Sequence, residues 1–233
     1  MASSDKDGNE VQPGFGSDSL EEIARFIPED IRQRYEVFSY RHAASILANS
    51  APEELSEICE ALRAFELKKE WITTGGGNES AIPKAFSQLL RPKQWYETRI
   101  HGDLLVTLEV HKDDGASREV SRQQITRSDF LDGHKVDYVK NRVAFDLEWN
   151  SKDQTFDRDL YAARAFYECG LISASVLVTR SADLNPVFAE LGVKAKYGAS
   201  TTWMGKLLYR LNAGRNGGCP ILIFGITRKA IAD

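Results

Sequence analysis

Three consecutive runs between Arg142 and Thr179 constrain the fold of this 233-residue chain more than any other feature. From Arg142 to Trp149, Val143, Phe145, Leu147 and Trp149 alternate with Ala144, Asp146 and Glu148, the two-residue period of a pleated strand. Asp157 to Cys169 places Leu160, Ala163, Ala165, Phe166 and Cys169 on the apolar side of an amphipathic helix, which Gly170 ends. Leu171 to Thr179 reads as a buried strand. Strand, helix and strand in that order form a crossover unit. The expectation is an α/β fold, a mixed central sheet with helices on both faces.

The first of these strands also carries candidate chemistry. Asp146 and Glu148 fall on one face, and Asp137 stands nine residues before Asp146, where a preceding strand end or turn brings a third carboxylate near them. Three hard oxygen donors suit Mg²⁺. Spacing alone favours the solvated face of an antiparallel sheet. The neighbourhood separates the two readings: Trp149-Asn-Ser-Lys-Asp153 follows directly, and then a helix with basic and aromatic positions.

The run Val136-Asp-Tyr-Val-Lys-Asn-Arg-Val-Ala-Phe-Asp-Leu-Glu-Trp149, continued by Asp159-Leu-Tyr and Ile172-Ser-Ala-Ser-Val-Leu-Val178, resembles restriction endonucleases of the BglII and BstYI type. The likeness continues through Gly205-Lys-Leu-Leu-Tyr-Arg-Leu-Asn-Ala-Gly-Arg215 and Pro220-Ile-Leu-Ile-Phe-Gly-Ile226, and more weakly upstream through Ala85-Phe-Ser-Gln-Leu-Leu and Trp95-Tyr-Glu-Thr-Arg99. It spans roughly residues 75 to 230. The resemblance implies the PD-(D/E)xK nuclease fold, a dimeric type II enzyme, and a Mg²⁺-dependent cut in double-stranded DNA at a palindrome. It assigns the first acid to Asp137, the second to Asp146 and the third to Glu148, where many nucleases of this fold place a Lys. An Asp at the second position departs from the more usual Glu. Glu97 is a candidate fourth acid, or else a surface Glu at a helix end.

On this reading Asp137 and Asp146 hold the metal, with the carbonyl of Leu147 as a further ligand. Glu148 orients or deprotonates the attacking water, or ligates a second ion. Base reading is expected from two loops, Asn150-Ser151-Lys152 and Tyr197-Gly-Ala-Ser200-Thr201-Thr202; the second alternatively only caps the next helix. Arg215 is assigned to phosphate or guanine, and Lys194, Lys196, Lys206 and Arg210 to positioning the DNA backbone. A site centred on GATC is the guess that the resemblance suggests. The competing readings are a repair or mobile-element nuclease of the same fold, and a catalytically silent DNA-binding protein.

Composition bounds the rest. The net charge of −4 hides an asymmetry: residues 1–80 hold sixteen acids and eight bases, residues 192–233 seven bases and one acid. A basic C-terminal part beside an acidic centre suits a metal-dependent nuclease, or is a solvated charge run. Cys59, Cys169 and Cys219 form no disulfide or zinc pattern, so a reduced, cytoplasmic setting is expected. No apolar run approaches a membrane span, and the acidic N-terminus lacks the pattern of a signal peptide. His101, His111 and His134 have no ligand spacing and read as surface residues, and no Gly-x-Ser-x-Gly elbow occurs.

Residues 1–18 read as a loose tail, followed by a single endonuclease domain at 19–233 with a helical part (19–70) and a catalytic core (75–230). Helices are expected around Leu20–Phe26, Arg41–Leu47, Pro52–Arg63, Pro83–Leu90, Asn185–Leu191 and Thr202–Asn212, and strands at Trp95–Ile100, Leu104–Val110 and Pro220–Ile226. Gly75–Ser80 reads as a loop able to approach a phosphate closely, or a plain linker, and it lacks the ending of a P-loop. Lys112–Ser128 reads as an exposed loop.

Overall fold

The computed structural model describes residues 14, 16–74, 80–113, 115 and 117–232. Most of the expected tail (1–13 and 15) and of the Gly-rich loop (75–79) lies outside them. In chain order the elements are α1 (Leu20–Phe26), α2 (Glu29–Arg34), β1 (Tyr35–Tyr40), α3 (Ala43–Ser50), α4 (Pro52–Ala64), α5 (Lys69–Thr73) and α6 (Ala81–Leu90). The two long strands β2 (Tyr96–Asp113) and β3 (Arg118–Lys140) follow, then β4 (Val143–Glu148), α7 (Thr155–Glu168), β5 (Ala174–Arg180), α8 (Asn185–Glu190), α9 (Met204–Asn212) and β6 (Ile221–Ile226).

The crossover forms as expected. β4 and β5 pair in parallel, with Asp146 across from Leu177 and Glu148 across from Thr179, and β5 pairs in parallel with β6. β1 pairs antiparallel with β6 and β3 antiparallel with β4, giving the six-stranded order β1-β6-β5-β4-β3-β2. The sheet is therefore mixed. α3 packs on β5 and β6 over one face, and α7 packs on β4 and β5 while touching α9 over the other. This is the α/β architecture expected of the restriction-endonuclease fold.

Local sequence explains the element ends. The Ser19 hydroxyl caps α1 by accepting from the Glu22 N–H at 3.1 Å. α4 opens on Pro52 with Glu53 and Glu54 in its first turn, and acids there face the positive end of the helix dipole. Past α7, Gly170 takes φ +72°, and the N–H groups of Gly170 and Leu171 close back on the carbonyls of Tyr167 and Phe166. That turn sends the chain into β5.

All six residues of β4 are buried, so neither face is the solvated one that spacing alone allowed. Val143, Phe145 and Leu147 enter the main core. Phe145 there meets the rings of Tyr138, Trp95 and Phe86, with centroids 5.8, 6.5 and 5.8 Å away. Truncating such a side chain to Ala costs about 3–5 kcal/mol. Its packing fixes the height of β4 and hence of the acids on the opposite face.

Two features differ from the sequence expectation. The part expected to be helical (19–70) also contains β1, a short strand whose partner β6 lies far along the chain. The stretch Lys112–Ser128, expected as a loop, has Lys112 and Asp113 at the end of β2 and Arg118–Ser128 in β3, and the two expected strands before it are one continuous β2. Residues 99–135 form a compact unit of their own. Within it, Arg122 pairs with Glu109, Arg118 with Asp113 and Gln124 with Thr107, while the Asp129 N–H donates to Asp103 Oδ1 at 2.9 Å.

Candidate active site

The antiparallel register of β3 and β4 places Tyr138 across from Phe145, and one step further it sets Asp137 opposite Asp146. The Asp137 N–H donates to Asp146 Oδ1 at 2.8 Å, and the Leu147 N–H donates to Asp137 Oδ2 at 3.3 Å. Each carboxylate is thus pinned by the backbone of the other's strand. Pleating puts Glu148 on the same face as Asp146, and the Glu148 carbonyl is tied to β5 by the Thr179 hydroxyl at 2.9 Å. Leu147, whose carbonyl was the expected further ligand, turns its side chain into the core. Glu97 is exposed on β2, and its charge reaches Asp137.

A fourth acid joins them that sequence reasoning did not assign to the site. Asp159, on α7, is 4% exposed and lies close enough for its charge to act on both Asp146 and Glu148. A signal for it was present. Phe156, Asp159, Leu160 and Ala163 fall at the i, i+3, i+4, i+7 positions of a buried helix stripe, so an acid stands where an apolar side chain belongs. Beside it Arg158 bridges Glu148 Oε1 at 3.5 Å and Asp159 Oδ1 at 3.0 Å, while its own side chain stays 67% exposed.

Burial sets the electrostatics. The Asp146 carboxyl is held well above the ordinary carboxylate range, first by burial and then by the charges of Asp137, Asp159 and Glu148. Burial, followed by the charge of Asp159, pushes Glu148 up to about 8, and burial also raises Asp159 against the pull of Arg158. Asp137 is open to solvent, yet protein on its strand side still raises its pKa. Glu148 and Asp159 also hydrogen-bond each other, which raises the first and lowers the second. Hard oxygen donors and crowded, buried negative charge fit a divalent cation.

The two expected recognition loops meet. Lys152 and Thr201 form an antiparallel bridge, the Thr202 N–H donates to the Ser151 carbonyl at 2.8 Å, and the Asp153 N–H donates to the Ser200 carbonyl at 3.0 Å. Thr202 is fully buried, and its hydroxyl accepts from the Ser151 N–H at 3.1 Å, so it serves as a clasp between loops. Lys152 and Ser200 are exposed; Asn150 stands at φ +59° with its side-chain oxygen buried. Arg180 is a second group that sequence reasoning missed. It is buried at the end of β5 and donates to the Tyr197 carbonyl at 3.1 Å and to Thr201 Oγ1 at 2.7 Å, which fixes the second loop.

The basic candidates are engaged within the chain. Arg210 is buried and lies 3.0 Å from Asp157 and 3.6 Å from Asp153; Lys206 lies 3.7 Å from Asp153; Arg215 pairs with Asp157. Lys196 donates to the carbonyls of Ile72 and Thr74. His101 and His111 are exposed.

Among the described residues, one triad draws its ligand atoms tightly together, and it is a different one. Atoms of Asp18, Glu22 and His42 lie within 4.8 Å of one another. They border a cavity of about 630 Å³ that shares no lining residue with the acids of β3, β4 and α7. Here the donors are already used: Asp18 accepts from Ser39 Oγ and from the His42 N–H, and His42 Nδ1 lies 2.6 Å from Glu22 Oε1.

A protein-family model described as restriction endonuclease BglII/BglIII matches residues 35–226, which includes β1, all of the β3–β4–α7 acids and β6. No curated protein matches the chain. No helix among the described residues is long and apolar enough to cross a membrane.

Proposed function

Because the chain belongs to the restriction endonuclease BglII/BglIII family, we propose that it is a type II enzyme that cuts both strands of DNA at a short palindrome. The family makes it a nuclease that binds DNA. The finer reading adds Mg²⁺ dependence and 5′-phosphate and 3′-hydroxyl ends. One observation carries it: Asp137 and Asp146 face each other across β3 and β4, each held by the other's backbone, with Glu148 on the same face.

In this mechanism Asp137 and Asp146, with the Leu147 carbonyl, would hold the cation. When bound, Mg²⁺ supplies an acidified water and charge neutralisation at the scissile phosphate. Asp146 would be ionised beside a cation, whose positive charge would offset the penalty that burial imposes. Glu148 acts on the attacking water, directly or as a ligand, and α7 shields that face from bulk solvent. Glu97, at the exposed side of Asp137, is the weaker fourth acid.

Asn150, Ser151 and Lys152 stand two to four residues beyond Glu148, and Ser200, Thr201 and Thr202 are joined to them, so both loops present to one stretch of DNA. Lys206, Arg210 and Arg215 support the DNA backbone from α9 and the turn after it, with Asp153 and Asp157 holding them in place. Two chains related by a two-fold axis each cut one strand of the palindrome. Residues 19–233 act as one endonuclease domain. Three free cysteines agree with work in the cytoplasm.

Digestion of plasmid DNA with Mg²⁺ tests this reading. Discrete fragments with mapped ends support it, smearing or nicking turns it toward a nuclease that reads DNA structure, and intact plasmid with a gel shift toward a silent DNA-binding protein. Normal cutting by Asp146→Ala would remove the site assignment.

A further inference from the structure

We propose that the aliphatic face of the β2–β3 ribbon pairs, about a two-fold axis, with the same face of a second copy of this chain. Cross-strand contacts tell the two faces of the ribbon apart. Arg118 pairs with Asp113, Arg122 with Glu109 and Gln124 with Thr107, and His111 lies 3.7 Å from Glu109. These side chains share one face, and the three cross-strand pairs keep one register. Strand alternation then puts Leu104, Val106, Leu108 and Val110 on the other face, with Ile125 of β3 beside Val106 and Gln123 beside Leu108. Val106, Leu108, Val110 and Ile125 are 42%, 50%, 40% and 46% exposed. A two-stranded ribbon is marginal in water unless its apolar face is packed against something.

The pattern on that face selects the occupant. Leu108 and Gln123 stand across from each other at its centre. Val106 and Val110 lie two residues to either side of Leu108, while Glu119 and Arg127 lie four residues to either side of Gln123. A two-fold axis through that centre and across the strands lays Val106 on the partner's Val110, Leu108 on the partner's Leu108, and Glu119 on the partner's Arg127, the last pair formed twice. Aliphatic meets aliphatic and acid meets base. DNA suits the face poorly, because a phosphate backbone calls for clustered Lys and Arg, and here Glu119 stands beside Lys112 and Arg127 around an aliphatic stripe.

The size of the face sets the strength of the contact. Nine residues of strand at about 3.4 Å each, on two strands about 4.8 Å apart, give a surface of roughly 30 by 10 Å. That is well short of the roughly 800 Å² per partner of a standard interface, so the ribbons hold each other weakly and the contact must be trapped to be counted. The nuclease reading calls for two copies without naming a surface between them; this pairing is argued from the ribbon and does not rest on that reading.

Cross-linking of the full chain tests it. Packed sheets stand about 10 Å apart, beyond the reach of a direct disulfide, so a short bismaleimide is the reagent. In a Cys169→Ser background, which removes the exposed native thiol, Leu108→Cys should give a covalent dimer at several times the yield of Leu105→Cys, a position on the ion-paired face that is at least as exposed. Added to Leu108→Cys, Glu119→Lys or Arg127→Glu alone should lower the yield, and the two together should restore it. Glu119 and Arg127 of one ribbon stand about 27 Å apart along β3, so only pairing between copies produces that rescue. Equal yields from the two faces, or no rescue by the double reversal, would overturn the proposal. So would a Leu108→Cys thiol that stays uncross-linked and reacts more slowly once duplex DNA is added, which would give the face to DNA. Plasmid cutting is scored separately: failure of the nuclease reading leaves the cross-link unchanged, and cutting without the cross-link removes this pairing alone.

Discussion

Asp18, Glu22 and His42 on one hand, and Asp137, Asp146, Glu148 and Asp159 on the other, are built from similar donor atoms and live under opposite constraints. In the first group a hydroxyl, a backbone N–H and an imidazole satisfy the acids, and His42 is 70% exposed. The result ties the segment before α1 to the start of α3 and is complete as it stands. In the second group three of four acids are buried, one cation serves two of them imperfectly, and burial raises every pKa. Tight geometry therefore marks the cluster whose charges are balanced, and buried, mutually repelling charge marks the other.

The largest effect that would break this contrast is at Asp146. Asp146→Asn should lower cleavage on the order of 10³-fold, the scale of several kcal/mol of transition-state stabilisation, while a gel shift shows DNA binding kept or tightened. Retained cleavage would place the chemistry elsewhere. Next comes the response to metal. At a hundredfold excess over Kd a divalent cation should stabilise the chain by about 2.7 kcal/mol, several degrees in melting temperature. The shift should vanish in Asp146→Asn and persist in His42→Ala; the reverse pattern would exchange the roles of the two clusters.

A smaller effect lies in pH. Glu148 is raised from 4.5 to about 8 in the folded chain, so its neutral form is the one the fold favours. Its contribution to stability is complete below the ordinary value and is lost as pH climbs through about 8. Melting curves in chelator should therefore decline over that window, and Glu148→Gln should flatten them. Smallest is His42→Gln. The hydrogen bond to Glu22, then the charges of Glu22 and Asp18, raise the His42 pKa. The stabilisation is present below the usual histidine range and fades as pH rises through the raised value, and for so exposed a pair it is under about 1 kcal/mol. A larger loss on melting would mean that the first cluster matters more than its solvent exposure allows.

How much of this was legible depended on whether a signal was local. Periodicity alone exposed β4, α7 and β5, and the Asp137 to Asp146 spacing gave the cross-strand pair because a tight antiparallel turn converts sequence separation into register. β1 was hidden: six residues with Ser39 buried among Tyr35 and Tyr40 show no clean alternation, and their partner is β6, near the other end of the chain. β3 was hidden between Arg118 and Ser128 for a different reason, since a strand exposed on both faces has no apolar side to print a period. Asp159 left a trace, an acid within an apolar stripe. The engagement of Arg210 and Arg215 by Asp157 left none, because no local pattern encodes an ion pair between distant segments.

The bridge between Lys152 and Thr201 has a consequence for how errors are rejected. Glu148 lies four residues upstream of one half of that bridge, and Arg180, at the end of the adjacent strand, clamps the other. If both loops read bases as proposed, a mismatched base pushing on either would displace both and tilt the end of β4. Discrimination built this way registers as slower cutting of DNA that is still held, so the enzyme would dwell on near-cognate sites and leave them whole.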